Sequence, residues 1–255
     1  MSRSVVFCIL LFGISGYGYG QATQPTPVQQ PLNSCLSDFG TSFTFSAPPI
    51  CSGSVEAELG FISLGDERFI PAVLTVAPFA SHADITVLVN LVESNIRAGK
   101  RANHFGNRFD FFLRREVFER NGFVLTLAPR GAFFDRDGGG NMGVSVAAQY
   151  GKGRNVGVVN VGLAEAIGSS LVNPKTDYQT SFDYSRALSK SGFAVFLGFQ
   201  YEAANAQAVS VEQGIIIPFR NGQVELAVNQ LNLNTVPALQ LHARVVMNWA
   251  KVFRR

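Results

Sequence analysis

Charge, cysteine, histidine and tryptophan are all scarce in this chain. Charged residues make up 15% of its 255 residues, with three cysteines, three histidines and one tryptophan. Lys and Arg total 21 against 18 for Asp and Glu, too even a balance for the basic stripe of a nucleic-acid binder. Nucleic acid is therefore not an expected partner. Beyond residue 20 no apolar run approaches the roughly 18 residues that a membrane-spanning helix requires, so a helical span is excluded as well. So few histidines and cysteines leave no metal-ligand spacing to read, and no cofactor signature is present. Glycine is plentiful at 25 and phenylalanine at 22, a mixture that suits strands and turns better than helices.

The first residues, "MSRSVVFCILLFGISGYGYGQA", combine Arg3, an apolar run from Val5 to Phe12 and the small residues Gly18 and Gly20. That is the layout of a secretory signal peptide over 1–20, and the run is too short for a bilayer anchor. Export into an oxidising compartment removes Cys8 and leaves Cys35 and Cys51 as an even pair, for which a disulfide is expected. Residues 21–53 are rich in Pro, Gln, Ser and Thr and bury little apolar area. The first half reads as a disordered arm, and the part between the cysteines as a stapled terminus or plug-like cap.

From Ser54 to the C-terminus the pattern changes to alternation of apolar and polar residues, and 54–255 reads as one all-β domain. Twelve segments of about ten residues follow one another, the length of strands tilted across a bilayer. They are 54–63, 69–79, 83–93, 105–117, 122–134, 142–151, 155–166, 176–188, 191–202, 207–218, 222–232 and 239–249. Turn chemistry such as "ERNG", "GKGRN", "SKSG" and "FRNG" separates them. An even count lets the ends of an antiparallel up-and-down transmembrane β-barrel meet.

One face of these segments is free of charge: Val55, Ala57, Leu59 and Phe61 in the first, for example, and Leu239, Leu241, Val245, Met247 and Trp249 in the last. The other face carries Glu56, Glu58, Arg108, Asp110, Arg114, Arg130, Asp183, Glu202, Glu212, Glu225, His242 and Arg244, interspersed with small residues such as Gly60, Gly198 and Gly214. Small residues suit a crowded barrel interior, so the apolar face is expected to meet lipid and the charged face to line a lumen of both signs. An inward position such as Thr126 should then tolerate change where its neighbour Leu125 does not. The first and last segments must pair, because an open edge in lipid leaves backbone groups unsatisfied. That pairing would bring Glu56 and Glu58 beside His242 and Arg244.

The order "FGNRFDFFLRREVFERNGFVLTLAPRGAFF", "GVSVAAQYGKGRNVGVVNVGLA", "YQTSFDYSRALSKSGFAVFLGFQYEA" and "IIIPFRNGQVELAVNQLNLNT" resembles, in rhythm and turn placement, the outer-membrane proteins of the MetA-pathway of phenol degradation family. The resemblance implies a channel for small, often aromatic or hydrophobic solutes in a Gram-negative outer membrane. It supplies no catalytic residue, and implies as partners outer-membrane lipid, a small solute and the outer-membrane assembly machinery. That machinery recognises a terminal aromatic, which here is Trp249 or Phe253, with "AKVFRR" following Trp249. The other architecture compatible with alternation is a soluble periplasmic β-barrel that binds an apolar ligand.

Catalytic chemistry finds no constellation. His82 and His104 fall in loop-like stretches, His242 faces the expected lumen, and none has a serine two residues away. "DRDGGGNMG" lacks the Lys of a phosphate loop and the downstream acid of a calcium loop, so it is a hairpin turn. Glu56 and Glu58 share one strand face rather than flanking a cleft, which excludes a glycosidase pair. An enzyme is therefore not expected. If Cys35 and Cys51 are paired, the denatured mature chain will migrate faster on non-reducing than on reducing gels; equal thiol labelling with and without reductant would contradict the pairing.

Overall fold

The computed structural model describes residues 47–65, 67–78, 82–97, 100–104, 108–134, 139–167, 176–203, 208–234 and 237–249, apart from some side chains within the strands. The expected signal peptide, the arm up to residue 46 and Cys35 lie outside the described residues, as do Phe253 and the tip of the "DRDGGGNMG" turn.

Strands occur where alternation places them: β1 (Val55–Leu64), β2 (Glu67–Val76), β3 (Ala83–Arg97), β4 (Lys100–His104), β5 (Arg108–Arg120), β6 (Phe123–Phe134), β7 (Gly139–Lys152), β8 (Asn155–Ile167), β9 (Thr176–Ala187), β10 (Ala194–Glu202), β11 (Ala208–Phe219), β12 (Gly222–Leu231) and β13 (Ala238–Trp249). Neighbours in sequence pair antiparallel through hairpins. At one of the two-residue turns, Asn121 and Gly122 take φ of 52° and 79°, which the "NG" dipeptide accommodates and a β-branched residue would not.

β4 and β5 occupy one edge of β3: Lys100–His104 pairs with residues 93–97, and Phe109–Arg115 with residues 83–89. The thirteen stretches therefore form a closed antiparallel barrel of 12 strand positions. The expected segment 105–117 overlaps β5, which is one piece of this divided strand. Closure is made by β1 and β13, in continuous register from Val55 opposite Trp249 to Leu64 opposite Gln240.

Burial follows the period of two. In β1, Glu56, Glu58, Gly60 and Ile62 are buried while Leu59 and Phe61 are exposed; in β13, Gln240, His242, Arg244, Val246 and Asn248 alternate with exposed Leu241, Val245, Met247 and Trp249. The same inversion, apolar side out, runs around the barrel through Ile85, Leu113, Leu127, Val146, Val161, Phe182, Leu197 and Leu226. Exposed aromatics cluster toward both rims: Phe123 lies directly opposite Tyr150, with Tyr184 and Trp249 at the same end, and Phe133 and Tyr178 stand near the other. Such rings suit an interface between hydrocarbon and water.

The interior is not uniformly polar. Ile62, Phe69, Val73 and Leu88 form a buried apolar cluster across β1 to β3, and Ala194, Phe196, Ile216 and Ala227 another across β10 to β12.

The outward face generates a test that depends on depth. Val161, midway along β8 and 40% exposed, should cost about 2 to 4 kcal/mol when changed to Arg, whereas Leu239→Arg near a strand end should cost about 0 to 1 kcal/mol. Equilibrium unfolding from lipid vesicles measures both, and two neutral substitutions would mean that this face meets water.

Candidate functional site

Period-two alternation carries the expected lumenal residues into the barrel. Glu56 and Glu58 on β1, Asp110 and Arg114 on β5, Arg130 on β6, Asp183 on β9, Glu202 on β10, Glu212 on β11, Glu225 on β12, and His242 and Arg244 on β13 are all buried. Arg108 opens β5, and its side chain lies outside the described residues. Asp84 joins them, so eight buried carboxylates face three buried guanidiniums among the described residues. Both signs line the interior, as the sequence suggested, and among the described residues the buried acidic groups outnumber the basic ones.

These groups assemble into two ion-pair clusters. At the closing seam Arg244 Nη1 donates to Glu58 Oε2 at 3.1 Å and Nη2 donates to Glu225 Oε2, so one guanidinium joins β1, β12 and β13. Asn248 Nδ2 donates to Glu56 Oε2 at 3.3 Å across the same seam. In the second cluster Arg114 grips Asp84 with two parallel bonds, Nε to Oδ1 at 2.8 Å and Nη2 to Oδ2. Planar guanidinium and carboxylate match in this geometry, which makes the pair directional as well as attractive. Small residues give these long side chains room: a Cβ at Gly198 would collide with Asp183 Oδ1, and one at Gly162 would meet the Arg130 guanidinium at 3.2 Å.

The N-terminal segment enters the same space. Ala47, 0% exposed, packs with Val124, Ala128 and Ala147. Its N–H donates to Gln149 Oε1 at 3.3 Å, and its carbonyl accepts from the Thr126 hydroxyl. Ile50 N–H donates to Asp84 Oδ2 at 2.9 Å, and Gly53 N–H to the Ala77 carbonyl. From its root at β1 the chain thus crosses the barrel, at the end where β1 starts and β13 stops, to the wall made by β6 and β7. A 12-strand barrel is wider than the eight-strand size that side chains alone fill, so this segment supplies filling the wall cannot. Burial of Glu56, Glu212, Glu225, Gln149 and Asn229 at 0% exposure shows how little solvent remains there.

Thr126 therefore differs from its expectation as a tolerant position: it is a fully buried anchor for the segment. Asp84 was missed because it lies beside the turn "FASHAD", although its parity with Thr86, Leu88 and Asn90 marks it as inward. Nothing in the alternation signals that Ala47 would reach Gln149, 102 residues away. His82, by contrast, stays at the rim and pairs with Glu116 at 3.0 Å.

No family model matches the chain, and no curated protein matches it. Among solved structures it is similar to the KdgM porin, with 6% identity, a TM-score of 0.58, and coverage of 75% of this chain and 98% of that one. The NanC porin aligns with 8% identity, a TM-score of 0.54, and 76% and 98% coverage. An outer-membrane channel from Pseudomonas putida F1 gives 11% identity, a TM-score of 0.56, and 80% and 98% coverage. At such identities the likeness is one of fold: a 12-strand barrel of the outer-membrane type.

The seam triad can be weighed by removing its cation. Arg244→Leu strands Glu58 and Glu225 and should lower stability by about 3 to 5 kcal/mol, whereas Arg244→Leu combined with Glu58→Gln and Glu225→Gln should recover most of that loss. Urea unfolding measures both, and a neutral single variant would show that the triad does not hold the seam.

Proposed function

We propose that this protein is an outer-membrane channel for small polar solutes, biased toward cations, with residues 1–20 as its export signal and 21–53 as a segment that narrows the periplasmic mouth. The observation that carries the reading is the inversion of faces. A soluble barrel binding an apolar ligand would hide its large apolar side chains, whereas here Leu59, Phe61, Leu241 and Trp249 are exposed while eight carboxylates are buried. Porin and channel neighbours with the same fold agree with it. That alternative is therefore not favoured.

The solute class follows from the wall. Eight carboxylates against three guanidiniums give a negative field inside the barrel, which attracts cations and repels anions in a low-dielectric enclosure. A polar, acidic wall suits a polar solute better than the aromatic or hydrophobic compounds implied by likeness to the phenol-degradation family. The short turns at residues 121–122, 153–154 and 220–221 share the rim with the chain's entry into β1, as periplasmic turns do in barrels of this class. Paired Cys35 and Cys51 would brace the segment where it leaves the lumen. A channel reading also accounts for the histidines without catalysis, since His242 lies inside the barrel rather than on an outward surface.

Reconstitution in planar bilayers tests this directly. The mature chain should give discrete conductance steps with a reversal potential that favours cations under a KCl gradient, and a variant lacking residues 21–52 should conduct more. Silence from both chains rejects the channel; anion preference rejects the acidic wall as its filter; equal conductance rejects the segment as a constriction.

A further inference from the structure

Glu212, Glu225 and His242 come from β11, β12 and β13, yet each offers one ligand atom and all three atoms lie within 4.8 Å of one another. The register explains the convergence. Ala227 sits opposite Gly214 on one side and His242 on the other, and the buried Phe196 ring packs over Gly214 and Ala227. Glu225, one inward position from Ala227 on β12, and Glu212, one inward position from Gly214 on β11, flank that pair of small residues from opposite ends. All three residues are buried, at 0%, 0% and 4% exposure.

Two further observations point to a bound cation. Arg244 occupies Glu225 Oε2, but the other oxygen of the same fully buried carboxylate, Oε1, has no hydrogen-bond partner. A buried carboxylate oxygen without a donor is costly unless a positive ligand compensates it. The charge around it is also uneven: among the described residues of β1, β11, β12 and β13, Glu56, Glu58, Glu212 and Glu225 are buried with one buried guanidinium from the same strands, Arg244.

We infer that Glu212, Glu225 and His242 bind a divalent transition-metal ion inside the barrel wall. Two carboxylates and a neutral imidazole cancel a double positive charge, and three protein ligands with an open position are typical of Zn2+ sites. Magnesium and calcium, which prefer all-oxygen shells, fit the imidazole poorly. The site links β11, β12 and β13 beside the closing seam and is independent of whether the barrel conducts. His82, Glu116 and Glu119 form a second candidate set at the rim, but it is solvated and has no comparable unsatisfied oxygen; it carries no proposal.

Since the chain has three histidines, a His82→Ala/His104→Ala background leaves His242 as the sole imidazole. Untagged mature protein in this background, purified folded in detergent and stripped with EDTA, would be titrated with Co2+ and, in parallel, folded from urea with Co2+ present. The inference expects one equivalent of bound Co2+ in at least one arm, with the visible spectrum of a low-coordinate site, displaced by Zn2+ and not by Mg2+. Glu212→Gln and His242→Gln should each abolish this binding while strand content by circular dichroism is unchanged. If neither arm binds Co2+, or if binding survives both substitutions, the site does not exist; if a variant fails to fold, the single-histidine background alone decides by its stoichiometry and spectrum.

Discussion

Closure of the sheet is the constraint on which the rest of this structure depends. In hydrocarbon no water satisfies a free N–H or C=O, so a spanning sheet can have no edges. β1 and β13 meet in unbroken register over Val55–Leu64 and Gln240–Trp249, and Arg244 then bridges to both β1 and β12. The backbone supplies most of the seam's attraction. The ion pairs fix its alignment, because a slip of one residue would turn Arg244, Glu58 and Glu225 toward the apolar outside.

Closing the sheet also forces an inside and an outside with opposite solvent rules. Outside, large apolar residues are favoured and a charge is costly; inside, polar groups are permitted provided that they find partners. Those partners come largely from neighbouring strands, as Arg114 answers Asp84 opposite it and Asn229 Nδ2 donates to Gln240 opposite it, while Asp84 also takes the Ile50 N–H of the N-terminal segment. The N-terminal segment is thus bound by the same polar wall that would otherwise face water, and any solute path must pass or displace it.

The acidic excess is the interior's unresolved tension. Among the described residues eight buried carboxylates outnumber three buried guanidiniums, and burial of like charges is unfavourable without counter-ions. A cation-favouring lumen and a bound divalent ion are two consequences of the same imbalance, one transient and one resident. The residues of the inferred metal site cluster beside the seam, while Asp110, Asp183 and Glu202 extend the acidic lining to β5, β9 and β10.

Sequence by itself determined the strands, their turns and their two faces, because side chains alternate with a period of two and the apolar residues keep one parity from Val55 to Trp249. It marked Glu58 and Arg244 as inward and as neighbours across the seam, since closure leaves the first and last strands no other partner. Ring position, stagger and depth were decided only in three dimensions. The convergence of Glu212, Glu225 and His242 depends on the registers of two hairpins, and the meeting of Ala47 with Thr126 and Gln149 depends on how the segment before β1 turns into the barrel. Local patterning encodes which face a residue takes; it cannot encode which far strand that face will confront, because that is set by the shear and width of the closed barrel.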